Sequence, residues 1–73
     1  MPRLRVFSAD QVCRILQDHG FRKTRQSDSH IVMKRSTNLG ERLAIVPNHT
    51  EIQRGTLKSI IDQSGLPRNL FMT

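Results

Sequence analysis

The stretch FSADQVCRILQDHGF, residues 7–21, leaves this chain little choice about how it begins to fold. Ser8 is a good N-cap, and Gln11 three residues later completes a capping box. Phe7 and Val12 have the spacing of a hydrophobic staple across that cap. Val12, Ile15 and Leu16 recur on one helical face, with Ala9 near its edge. Gly20 then supplies a left-handed C′ residue, after which Phe21 can fold back on Leu16. A helix with both ends specified and one apolar stripe must find a surface to cover.

The next segments supply that surface. FRKTRQ alternates and is rich in cations; Ser27-Asp28-Ser29 is a turn signal; HIVMKR is extended in character. STNLGE reads as a looser second turn, and RLAIV as a third strand that Pro47 ends. The expectation is a three-stranded antiparallel meander. A second helix follows in RGTLKSIIDQSGL, burying Leu57, Ile60 and Ile61, with Gly65 at C′ and Leu66 placed to contact Ile61. Gly55 near its start either costs helix propensity or marks a close backbone approach. PRNLF can add one turn with Pro67 at its first helical position. The order α-β-β-β-α predicts an α+β fold, one antiparallel sheet with both helices on one face and the other face open to solvent.

At 73 residues the chain is expected to be a single domain, 1–73 with its core at about 8–71. Such a chain buries only about 60% of the surface its unfolded form exposes. Chemistry must therefore lie on an exposed surface, with any large substrate across it. Twelve Lys and Arg against six Asp and Glu leave a net charge of +6, which favours an anionic partner, nucleic acid first. Cys13, the lone cysteine, cannot form an internal disulfide and falls inside the first helical pattern, where packing explains it. The longest apolar run, Leu43-Ala44-Ile45-Val46, is too short to span a bilayer, and no apolar leader precedes the first helix, so a cytoplasmic protein is expected.

Among candidate chemical groups, His30 stands out. In HIVMKR, His30, Val32 and Lys34 share one side of a strand, and Ile31, Met33 and Arg35 the other. If Ile31 and Met33 meet the helices, His30 and Lys34 stand on the open face; the opposite register buries His30. An imidazole, with an ordinary pKa of about 6.5, takes and returns a proton near neutral pH. RNA carries its own nucleophile, the 2′-OH, so one positioned base and nearby cations are enough, and no metal or other cofactor is expected. The plain alternative is a surface histidine with no duty. His49 after Pro47-Asn48 is either a second acid–base group or a loop residue, while His19 fits a cation near a helix C-terminus. Ser27, Ser29 and His30 are neighbours rather than a triad. The isolated glycines make no phosphate loop, and three His with one Cys lack metal-ligand spacing. Three Phe without Tyr or Trp are a poor supply of stacking platforms and read as core.

The α-β-β-β-α order, HGF ending the first helix, SH opening the second strand, IVPNH ending the third and GTLKSIIDQSGL in the second helix together resemble the HicA-type toxins of toxin–antitoxin pairs. The resemblance covers about residues 8–71 and is most specific at Gly20-Phe21, Ser29-His30, Gly55-Thr56-Leu57, Ile60 and Gly65-Leu66. It implies a double-stranded-RNA-binding-domain-like fold, a toxin that cleaves mRNA, and a HicB-type antitoxin as inhibitor. The family's catalytic histidine opens the second strand after Gly-Ser, which here is His30; its Pro-x-His matches Pro47-Asn48-His49. One departure is Asp28, where the family usually has Gly.

The sequence thus points to a metal-independent endoribonuclease toxin with His30 as its acid–base group. His49 is a possible assistant, and Lys23, Arg25, Ser29 and Lys34 are the RNA-binding candidates. A non-catalytic RNA-binding module of the same fold, and a unit acting chiefly through its antitoxin complex, stand as alternatives.

Overall fold

The computed structural model describes residues 6–72, so Arg3 and Arg5 lie outside the described residues. Its elements run α1 (Ala9–Asp18), β1 (Arg22–Gln26), β2 (His30–Thr37), β3 (Gly40–Pro47), α2 (Arg54–Ser64) and a short 3₁₀ turn, Arg68–Phe71. The three strands form one antiparallel sheet in the order β1-β2-β3. The α+β architecture follows the expected order.

Helix α1 begins as its sequence dictates. The Ser8 hydroxyl accepts from the Gln11 amide at 3.2 Å, and the Gln11 side chain accepts from the Ser8 amide at 3.0 Å. Two N–H groups that a helix start leaves without partners are thereby satisfied. At the other end Phe21 N–H donates to Leu16 at 3.0 Å and Gly20 N–H to Gln17 at 3.2 Å, the Schellman pattern, with Gly20 at φ +95°. His19 Nδ1 donates to the Ile15 carbonyl at 2.8 Å, satisfying one more acceptor of the last turn.

Helix and sheet meet through one apolar cluster. Val12, Leu16, Met33, Ala44, Val46, Leu57 and Phe71 are wholly buried, and Ile31, Ile52, Ile60 and Ile61 nearly so. Burying each such aliphatic or aromatic side chain contributes about 1.5–3 kcal/mol before chain entropy is subtracted. Phe7 and Phe71 meet edge to face, ring centres 6.2 Å apart, so the beginning and end of the fold close on each other. Phe7 also pairs with Ile52 in an isolated antiparallel bridge. Cys13 is buried in this cluster, as packing predicts.

Three local expectations are corrected. The second hairpin is tighter than a loose STNLGE loop: β2 runs to Thr37 and β3 starts at Gly40, leaving only Asn38 and Leu39 between. Gly40 takes φ +126° there, which an L side chain resists. Pro67 is the N-cap of the last turn, not its first helical residue. Gly55 has no close neighbour, because a Cβ at that position would meet nothing within 4 Å. Gly65, by contrast, closes α2 in the left-handed conformation at φ +72°.

Candidate active site

The register of β2 decides where His30 points. Ile31 and Met33 are buried under the helices, so His30, Val32 and Lys34 stand on the opposite, open face. His30 pairs with Pro47, Val32 with Ile45 and Lys34 with Leu43. That face therefore carries an apolar middle of Val32, Leu43 and Ile45, with Leu43 and Ile45 about half exposed.

The turn that presents His30 is held from two sides. Ser27 N–H donates to the His30 carbonyl at 2.8 Å, and His30 N–H donates to the Ser27 hydroxyl at 3.1 Å. Asn48 grips the same turn from beyond β3: its N–H donates to the Ser29 carbonyl at 2.9 Å, its side-chain amide to the Asp28 carbonyl at 3.4 Å. Asn48 is thus a positioning residue that strand periodicity does not reveal. Asp28 needs no left-handed backbone, since among the described residues positive φ occurs only at glycines. His30 is exposed, and its ring makes no hydrogen bond among the described residues.

The cations divide in a way that strict alternation does not predict. Lys23 pairs with Met33 and Arg25 with Val32, because an irregularity at Thr24 inserts one extra residue. Alternation alone puts Lys23 and Arg25 on one face; the bulge separates them. Lys23 is turned to the helix side, where its ammonium donates to Gln26 at 2.8 Å. The thiol of Cys13 registers this: burial pushes its pKa up, and the Lys23 charge partly offsets the rise. Arg22 takes the place that alternation offers Lys23, since it pairs with Lys34 and joins Arg25 on the open face. Lys34 is held by Glu41 at 2.7 Å, the one ion pair among the described residues. That hydrogen bond, with help from Ser36 and the charge of Arg22, holds the Glu41 carboxyl below the usual carboxylate range.

The remaining candidates fall as follows. Ser29 is exposed in the turn, its hydroxyl without a hydrogen bond among the described residues. His49 is exposed two residues past the partner of His30, beside a shallow groove with Ser8, Asp10 and Thr50. Its carbonyl accepts from Ala9 N–H at 2.9 Å, which fixes its backbone to the start of α1. No hydrogen bond joins the rings of His30 and His49 among the described residues. The open face thus carries His30, Arg25 and Lys34, with Ser29 in the adjoining turn; Asn48 holds that turn, Arg22 and Glu41 stand beside Lys34 four residues along β2, and Lys23 lies on the other side. Among the described residues no three His, Cys, Asp or Glu side chains are grouped to hold a metal ion, and no helix is long and apolar enough to cross a membrane.

No curated protein matches the chain. Residues 9–66, from the first residue of α1 to just past the end of α2, match the family described as HicA toxin of bacterial toxin–antitoxin. The chain belongs to the HicA toxin family.

Proposed function

We propose that this toxin acts by cutting mRNA, with His30 as the acid–base group and a HicB-type antitoxin as its inhibitor. The observation that carries the reading is the placement of His30: exposed at the end of an open sheet face, with Arg25 and Lys34 on that face and its turn clamped by Ser27 and Asn48. In this reading an RNA strand lies across the open face of a double-stranded-RNA-binding-domain-like fold. His30 takes the proton of a 2′-OH, and the freed oxygen attacks the adjacent phosphorus. The bond from phosphorus to the 5′ oxygen breaks, that oxygen leaves with a proton from solvent, and a 2′,3′-cyclic phosphate remains. Base help of this kind contributes about 10²–10⁴ in rate. Arg25, paired with Val32 and so the open-face cation nearest His30 by register, counters the charge that builds on the reacting phosphate, while Arg22 and Lys34 hold the strand farther along β2.

The inhibitor follows from the same surface. A shallow, exposed site is silenced only by covering it, and Val32, Leu43 and Ile45, bordered on the β1 side by Arg22 and Arg25 and at one end by Lys34, suit a partner that is apolar where it meets them and acidic beside them. The test is growth of cells expressing wild-type or His30→Ala protein at equal levels. Wild type is expected to arrest growth and His30→Ala to leave it normal. Arrest by both would remove His30 from the mechanism.

A further inference from the structure

Lys34 lies directly opposite Arg22, a like-charge pairing that costs stability in a sheet unless an anion lies close by. Glu41 supplies that anion from β3. It pairs with Ser36, diagonal to Lys34, and its carboxylate accepts from Lys34 Nζ at 2.7 Å and from the Ser36 hydroxyl at 3.5 Å. Carboxylates and phosphodiesters present the same feature to an ammonium or guanidinium, a negative oxygen that accepts charge-assisted hydrogen bonds. The pair is solvent-exposed, Lys34 one third and Glu41 over one half, so it is weak and easily opened.

We propose that Glu41 is a built-in stand-in for an RNA phosphate: its carboxylate occupies an anion subsite made by Lys34, Arg22 and Ser36, and bound RNA must displace it. The inference rests on the RNA reading of the open face. Lys34 is four residues along β2 from His30, roughly 13 Å at 3.3 Å per residue. The subsite therefore holds a phosphate flanking the reacting one. Substrate must reach past the cleavage point to fill it, and the chain competes with its own substrate there.

The test is binding of a 2′-O-methyl oligoribonucleotide, which lacks the nucleophile and cannot be cut, to full-length wild-type, Glu41→Gln, Lys34→Ala and doubly substituted protein across about 50 to 200 mM salt. Glu41→Gln is expected to bind about two- to fivefold tighter than wild type. Its plot of log K against log salt is expected to steepen by about 0.7, one more phosphate contact on a single strand. In the Lys34→Ala background the gain from Glu41→Gln should shrink, because the carboxylate no longer blocks that ammonium. Unchanged or weaker binding by Glu41→Gln overturns the proposal, as does an equal gain with and without Lys34, which marks a general charge effect. A wild-type protein with no salt-dependent binding to the probe overturns the RNA reading itself.

Discussion

Neighbouring side chains on β2 face opposite tasks, and their substitutions separate cleanly. Ile31→Ala opens a cavity under the helices and is expected to cost about 2–5 kcal/mol. His30→Ala removes an exposed ring and is expected to change stability by no more than about 0.5 kcal/mol. Urea midpoints of the two variants check this contrast, and a large loss from His30→Ala would make the histidine structural. Cys13 provides a pH signature. Burial raises its pKa in the folded protein, so the stability linked to the protonated thiol is full below the unfolded value, about 8.5, and is lost as pH rises through the folded value. Relative to Cys13→Ala, which has no thiol to ionise, wild type should lose stability as pH rises above the unfolded value. Parallel urea titrations at several pH values measure it. The alternation in HIVMKR was legible but its direction was not, because Val32 is apolar too; the burial of Ile31 and Met33 is what turns His30 outward. The division between Lys23 and Arg25 was not legible either, because the Thr24 bulge leaves no mark in a strand made wholly of polar residues.

Among the elements, the helix ends were the most readable features, since caps act through local chemistry that one short window contains. Ser8, Gln11, Gly20 and Gly65 all do what their positions suggest. The tight second hairpin was harder to read, because Ser36 and Thr37 look like turn residues yet stay paired with Glu41 and Gly40. Gly55 and Gly65 give opposite predictions within one helix. At Gly65 an added Cβ would lie 2.8 Å from Arg42 Cζ on a backbone at φ +72°, so Gly65→Ala is expected to destabilise by about 1–2 kcal/mol. At Gly55 an added Cβ meets open space, so Gly55→Ala is expected to stabilise by about 0.5 kcal/mol through helix propensity. Thermal melts of the two variants should move in opposite directions. Melts that shift the same way would contradict this account of the α2 ends.

For the molecule as a whole, fold class was legible because two amphipathic helices and an alternating meander have few ways to share one core. What periodicity missed at the site was supplied by long-range contacts: Asn48 reaching back to the turn before β2, and Glu41 reaching diagonally to Lys34. No local window records which residues those contacts join. The division of labour is simple at this scale. Helices cover one face of the sheet and the other face stays open, on a chain whose net charge of +6 favours anionic partners. His30 is the group proposed to make this open face a ribonuclease. The most direct measurement incubates purified wild-type and His30→Ala protein with end-labelled mRNA in excess EDTA and follows the fragments over time. Cleavage by wild type, with His30→Ala slower by about 10²–10⁴, is the predicted result. Equal cleavage by the two proteins, or none by wild type, would contradict it.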